Sequence, residues 1–316
     1  MIRNKIAIII WLYNTELAEE FIELLLPHKK KIHIFLGLCK DKDNNSVVQK
    51  FTYYFKDTLD IEFFDNGGTD VLPTLRLLEK CQNNYSIFFK LHSKINAWGF
   101  KKHVDWKAIL INDILYGDNF DYTVRQLSRK NIGIVGSKSF IMRDNEYTNQ
   151  DKILELCNLL DVDYTKLRIK SFIGGNIFAA KTSIFKPLLY NTKYKDLLSK
   201  EIGAIKDDLK STYVHSSERI FGYMAEYHNQ NILGAPRHCK IILNPKIKTH
   251  RLHLVELYNK YCYIQENPNI FGRIVDTSQK DISILWQHIE KDKLQKYRAI
   301  ESNILVNHGI NTSTTL

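Results

Sequence analysis

The sequence predicts an α/β protein whose core is a mainly parallel sheet flanked by helices. Short, β-branched apolar runs recur through the first 95 residues, and each has the length of a strand. Between them lie segments whose apolar residues follow helical spacing. The composition of the 316 residues, 44% apolar and 25% charged, is that of a folded globular chain and excludes wholesale disorder.

Four apolar runs are the predicted strands of the first part of the sheet. They span residues 5–12, 31–38, 61–64 and 85–91. Runs with almost no polar residue are typical of strands buried on both faces, as in parallel sheets. The predicted helices between them span residues 15–27, 46–56 and 70–80.

The middle of the chain is less regular. It has predicted helices at residues 104–116, 151–160, from 182 and at 216–228, and predicted strands at 132–135 and 172–179. The charged segment 195–210 is expected to be exposed. We expect residues 1–235 to form one domain and residues 236–316 a helical C-terminal extension with a disordered tail.

The glycine loop, residues 65–70, follows a predicted strand. Ligands of such sheets bind beyond the carboxyl ends of the strands, which selects this loop together with Asn14 and the segment after residue 91. Gly67 and Gly68 permit close approach of a ligand to the backbone. Asp65 or Asn66 would bond a ribose or base, and the helix beginning at Asp70 would face an anion. Alternatively, Asp70 only caps that helix.

Three further motifs carry candidate site residues. Lys90, His92 and Lys94 share one face of a strand end and suit a diphosphate, unless they are merely solvated. Gly175 lies in FIGGNIF, where glycines mark either a ligand approach or a packing bend. In HSSER, Glu218 is a candidate general base with His215 or Arg219 as its anion partner, although a serine cap with an acid in the first turn explains the motif equally.

Other enzyme classes and a membrane span are not supported. There is no P-loop, G-x-S-x-G, H-E-x-x-H or G-x-G-x-x-G motif. Two aspartate pairs have D-x-D spacing, Asp41/Asp43 and Asp161/Asp163, but neither sits at the carboxyl end of a predicted strand of the first sheet in the way expected of a metal site. No apolar window reaches the ~18 residues that a span requires. The five cysteines are odd in number and lack C-x-x-C spacing, so we expect buried thiols in a cytoplasmic protein.

The order of the motifs resembles the rhamnan synthesis protein F family from about residue 5 to residue 235. The resemblance rests on N-G-G-x-D-x-x-P, K-L-H-S-K, the Gly-Gly-Asn-x-Phe strand and H-x-x-E-R. Three positions depart from the family pattern and bear on sugar and donor specificity: Thr69 replaces an Arg, Ile95 a second Lys, and Ala179 a bulkier residue.

The resemblance implies a GT-A-like, Rossmann-like glycosyltransferase of bacterial surface-polysaccharide synthesis that uses a nucleotide-sugar donor. Cations of K-L-H-S-K stand where the aspartates of a D-x-D metal site would be, so protein charge would stabilise the leaving diphosphate. Mg²⁺ or Mn²⁺ held by Asp65 and Asp70 is the alternative. Glu218 would be the base.

The expected activity is hexosyl or deoxyhexosyl transfer to a lipid-linked or oligosaccharide acceptor of the O-antigen or capsule type. A net charge of +10 suits peripheral contact with the inner membrane face. Residues 252–264 would either lie at that surface or, as is slightly favoured, pack on the catalytic domain. The alternatives are an inactive sugar- or nucleotide-binding subunit and, less favoured, a nucleic-acid-binding protein. No nucleic-acid partner is expected because the basic residues are dispersed.

Overall fold

A computed structural model describes residues 6–93, 106–144, 149–201 and 212–235. Lys94, the segment 252–264 and the expected C-terminal extension lie outside the described residues, so the expectations for them stay predictions. Within the described ranges no helix is both long enough and apolar enough to cross a membrane.

Seven strands form the main sheet, and two short strands pair separately. The main sheet has the spatial order β3-β2-β1-β4-β8-β5-β9, in which β8 alone runs antiparallel to its neighbours. The strands are β1 Ile6–Leu12, β2 Ile32–Cys39, β3 Leu59–Phe64, β4 Ile87–His92, β5 Ile132–Ser137, β6 Ile141–Arg143, β7 Ser171–Ile173, β8 Phe178–Lys181 and β9 Asn231–Ala235. β6 and β7 form the two-stranded antiparallel sheet.

Helices connect these strands. They are α1 Ala18–Leu25, α2 Asn45–Phe55, α3 Val71–Cys81, α4 Trp106–Leu115, α5 Asn119–Leu127, α6 Gln150–Leu159, α7 Lys186–Tyr190, α8 Thr192–Ser199 and α9 Tyr213–Tyr227. The mainly parallel sheet flanked by helices confirms the predicted fold class.

The structure corrects three details of the sequence prediction. The run 172–179 is not one strand, because its glycines separate β7 in the small sheet from β8 in the main sheet. Within the segment expected to be exposed, α8 buries Leu198, and Glu201 is hydrogen-bonded. The helix α5 and the short strands β6 and β9 were not predicted.

The core lies on both faces of the central strands. Every residue of β1 and of β4 is buried, as the apolar runs predicted. Cys39, Cys81 and Cys157 are buried free thiols, and burial raises the pKa of Cys81 and of Cys157 to about 12, so they are inert rather than reactive. The other two cysteines lie outside the described residues.

Helix α9 packs unusually close to β7 at Gly222. A Cβ atom at this position would lie 2.2 Å from the carbonyl oxygen of Ser171 and 2.6 Å from the Cα of Phe172. Both are backbone atoms, so the helix or the strand would have to move. The glycine therefore sets the distance between the helix and the small sheet.

Replacing Gly222 with Ala is expected to lower the free energy of unfolding by about 1–3 kcal/mol, the usual cost of overpacking. An open helical site would instead gain about 0.5–1 kcal/mol from the same change. Chemical denaturation measures the difference, with Tyr227→Ala at an exposed position of α9 as the control. A stability gain in Gly222→Ala would contradict this packing.

Candidate active site

A buried cluster of charged and polar side chains lies at the carboxyl end of β4. The Lys90 ammonium is fully buried and lies 2.5 Å from Asp70 Oδ2. It also donates to the carbonyl oxygen of Asn176 at 2.8 Å. His92 Nδ1 lies 3.4 Å from the same Asp70 oxygen, and Asn176 Nδ2 donates to it at 2.8 Å. We call these four residues, Asp70, Lys90, His92 and Asn176, the polar cluster.

The cluster decides the role of Asp70. Asp70 is the N-cap residue of α3, but its side chain makes no capping hydrogen bond. Its carboxylate instead compensates Lys90, which could not stay charged at a dry site without a partner. The amides of Val71 and Leu72 both donate to the carbonyl oxygen of Gly68, at 3.0 and 3.2 Å. The expectation that these helix amides face an anion is therefore wrong for both.

A tight turn between β7 and β8 brings Asn176 to the cluster. Gly175 and Asn176 both have positive φ, +85° and +58°, which glycine and asparagine tolerate best. Asn176 is 1% exposed, and its Oδ1 has no hydrogen-bond partner within the described ranges. A buried acceptor without a donor is costly, so this oxygen is a candidate contact for a ligand hydroxyl.

The end of β1 is bonded to the end of β4. Asn14 donates from its backbone to Ser93 Oγ at 2.8 Å and from its side chain to the Ser93 carbonyl at 2.9 Å. Asn14 and His92 are thereby brought to one edge of the sheet. This juxtaposition was expected from the parallel topology.

The glycine loop packs against the end of α8. Gly68 has φ +65°, and a Cβ there would lie 2.6 Å from Leu72 Cβ. A Cβ on Gly67 would lie 3.2 Å from the Ser199 carbonyl. The loop packing thus requires glycine at position 68, while position 67 is tight. Asn66 is half-buried and Asp65 is exposed, with Asp65 paired to Lys40 at 3.0 Å.

The two acids proposed for a metal do not fit a divalent cation as they are arranged. The Asp70 carboxylate faces an ammonium and an amide N–H, and Asp65 is exposed and paired with Lys40. A cation at Asp70 would be brought against the buried Lys90. Among the described residues no three His, Cys, Asp or Glu side chains surround a common point.

Helix α9 begins earlier than the sequence suggested. Thr212 is the N-cap, and its Oγ1 accepts from the His215 amide at 3.1 Å. Glu218 therefore lies in the second turn, and the interpretation of HSSER as a serine cap with an acid in the first turn is wrong. The Glu218 carboxylate is half-buried and has no hydrogen bond or ion pair with a described residue.

One face of α9 follows β7 and locates Glu218. Glu218, Gly222 and Glu226 recur every four residues and so share a face. Glu226 accepts from the amides of residues 168–170, which precede β7, while Gly222 touches Ser171 and Phe172. The helix thus runs antiparallel to the strand. Glu218 precedes Gly222 by one turn on this face, so the antiparallel register places its backbone nearer to the carboxyl end of β7 than that of Gly222.

His215 and Arg219 are engaged by the protein. His215 Nδ1 lies 3.0 Å from Thr212 Oγ1. Arg219 donates to the His215 carbonyl at 3.1 Å and stacks over the Phe172 ring. Its Nε lies 3.7 Å from Asp144, whose side chain is fully buried and accepts a hydrogen bond from Tyr223.

The structure thus joins motifs that are distant in sequence. Asp70, Lys90 and His92 meet directly, Gly175 belongs to the turn that reaches them, and Asn14 lies along the same sheet edge. Asn176 and Glu201 were missed as site residues. Asn after Gly-Gly is a residue type that tolerates positive φ and was a usable signal, whereas a Glu in a charged segment gave none.

The fold and the site define an α/β protein with a mainly parallel sheet, one reversed strand and polar side chains at the carboxyl edge, where the ligands of such sheets bind. The family model described as RgpF, rhamnan synthesis protein F, matches residues 1–230. The chain belongs to this family, which confirms the resemblance drawn from the four motifs.

Comparison with solved structures finds similar folds at low identity. The mannosyltransferase PcManGT from Pyrobaculum calidifontis, in complex with GDP-Man and Mn²⁺, is 13% identical, with 95% of this chain and 84% of that chain covered and a TM-score of 0.39. TarS 1–349 from S. aureus is 14% identical, with 74% and 58% covered and a TM-score of 0.38. No curated protein matches the sequence.

Proposed function

We propose that the protein transfers a hexosyl or deoxyhexosyl group from a nucleoside-diphosphate sugar to a hydroxyl of a growing, lipid-linked surface polysaccharide. The family supports glycosyl transfer in rhamnan-type synthesis. The observation that supports the catalytic assignment is that Glu218 is a half-buried carboxylate without a hydrogen bond or ion pair to a described residue, on the face of α9 that packs on β7.

The proposed reaction is a single displacement. Glu218 takes the proton of the acceptor hydroxyl as that oxygen forms a bond to the anomeric carbon. The bond between the anomeric carbon and the phosphate oxygen breaks, and the nucleoside diphosphate leaves with the electron pair. Attack from the opposite side inverts the anomeric centre. The base is left protonated and returns its proton to solvent.

Donor binding is proposed along the carboxyl edge of the sheet. Asn14, Asn66 and the half-buried Gly67 would contact the nucleotide, the buried Gly68 would shape the loop that holds it, and Gly175 permits close approach at the turn. His92, at the mouth of the polar cluster, would face the diphosphate, with Lys94 beyond it in sequence.

Lys90 and Arg219, which were expected to bind the donor, do not contact it directly in this proposal. Lys90 is fully buried against Asp70, and Arg219 is held by Asp144 and the His215 carbonyl. Each therefore supports the donor indirectly, by fixing the groups around it. His215 belongs to the cap of α9 and orients the turn before Glu218.

The solved mannosyltransferase was in complex with Mn²⁺, so donor binding is to be measured both with and without a divalent ion. Asp65 and Asp70 are each paired with a lysine here, so no step is assigned to an ion held between them.

Binding of the donor nucleotide is expected to raise the free energy of unfolding by about 2.7 kcal/mol at a hundredfold excess over Kd, because the ligand binds only the folded state. The thermal transition then moves to a higher temperature. The measurement compares UDP, dTDP, GDP, CMP and their sugars, with Mn²⁺ and with EDTA. A response to one nucleotide identifies the donor pool, and its persistence in EDTA shows binding without a metal. If none shifts the transition, donor transfer is contradicted and a binding subunit without a nucleotide site is favoured.

A further inference from the structure

Glu201 contacts both parts of the proposed site. Its backbone carbonyl accepts a hydrogen bond from the amide of Gly68 at 2.7 Å. Its carboxylate accepts from the amides of Tyr213 and Val214, at 2.7 and 2.9 Å. One residue therefore bonds the glycine loop to the first turn of α9.

The hydrogen bonds between the Glu201 carboxylate and the amides of α9 are strong. The first amides of a helix have no partner within the helix, and negative charge is favoured at that end. Glu201 satisfies the first two amides, and Thr212 Oγ1 accepts from the third, that of His215. Glu201 and the N-cap residue Thr212 therefore both hold the start of α9 in position.

The bond to the glycine loop is equally constrained. Gly67 and Gly68 lie close to the backbone of Ser199 and Leu198, where a Cβ atom on either glycine would be 3.2 Å from a carbonyl oxygen. Residues 198–201 and the glycine loop thus form one packed unit. A displacement of the loop is transmitted to Glu201 without an intervening flexible side chain.

We infer that Glu201 is a positioning residue that couples nucleotide binding at the glycine loop to the placement of α9 and hence of Glu218. The inference rests on the proposed function, since it takes the glycine loop as the donor site and Glu218 as the base. A nucleoside diphosphate that orders the loop thereby orders the start of α9. Glu218 lies in the next turn and is held in place with it.

Hydrogen–deuterium exchange tests the coupling on the full chain, with the nucleotide that gives the largest thermal shift. In the wild type this nucleotide is expected to slow exchange both in the glycine loop and at residues 213–215. In Glu201→Ala the loop is still protected, and the protection at α9 is lost. Its kcat falls about 10²-fold through misplacement of the base, with little change in the donor KM.

Two further variants separate coupling from loss of stability. Glu226 also accepts from consecutive backbone amides and lies at the other end of α9, but it has no bond to the glycine loop. Glu226→Ala is expected to be destabilised yet to keep nucleotide-dependent protection at residues 213–215. Glu201→Gln retains an acceptor oxygen and should recover part of both the protection and kcat.

The outcomes distinguish the two proposals. If the wild-type loop responds to nucleotide and α9 does not, or if Glu201→Ala keeps the α9 response, coupling is overturned and the donor site stands. The same holds if Glu226→Ala loses the α9 response as Glu201→Ala does. If no part of the wild-type protein responds to any nucleotide, the proposed function fails and the coupling fails with it.

Discussion

Glu218→Gln is expected to reduce the rate of sugar transfer by about 10²–10⁴-fold, the usual contribution of a general base. The carboxamide has nearly the same size but cannot take the acceptor proton. Glu218 has no hydrogen bond or ion pair with a described residue, so its replacement removes no structural bond there. Stability and the nucleotide-induced thermal shift should therefore match the wild type.

Turnover of the donor identified by the thermal screen measures this effect. Glu226→Gln, on the same face of α9 two turns away, is the matched control. Its carboxylate bonds backbone amides, so the control should lose stability rather than turnover. Wild-type turnover in Glu218→Gln would remove Glu218 as the base and leave its position unexplained by catalysis.

Lys90→Met is expected to lower the free energy of unfolding by about 3–5 kcal/mol, as in other buried ion pairs that lose one partner. Asp70 would lose its ammonium partner with only 17% of its side chain exposed. The bond from Lys90 to the Asn176 carbonyl would also be lost, which frees the turn between β7 and β8. The loss of unfolding free energy should lie at the lower end of this range, because Asp70 retains its contacts with Asn176 and His92.

Denaturant unfolding of Lys90→Met, Asp70→Asn and the double variant measures the pair directly. The double variant should be more stable than the sum of the single losses, since it leaves no uncompensated charge. Lys80→Met is a suitable control, because Lys80 pairs with Glu62 at the surface and contributes about 0–1 kcal/mol. Additive losses would show that Lys90 and Asp70 do not act as a pair.

These two predictions concern different levels of the site. In the proposed mechanism Glu218 acts on the reacting atoms, whereas Lys90 supports the groups around the donor. Under that proposal a variant of Lys90 that folds loses nucleotide affinity through the turn and Asp70, not through a missing phosphate contact.

The sequence by itself determined the architecture and selected the candidate site. The apolar runs of β1 and β4 could only be buried strands, and the helical spacing between them required a mainly parallel sheet. The rule that ligands lie beyond the carboxyl ends of the strands then selected Asn14, the glycine loop and His92. All these patterns are local, extending over a few turns or one strand.

Only the tertiary structure decided what the charged residues bond to. Asp70 lies 20 residues from Lys90 and 106 from Asn176, and the sequence allowed it to be a cap, a metal ligand or an ion-pair partner equally. The true start of α9 and the bridge made by Glu201 were hidden for the same reason. Periodicity reports which side of an element is buried, whereas the partner of a polar group depends on which distant segment the fold brings beside it.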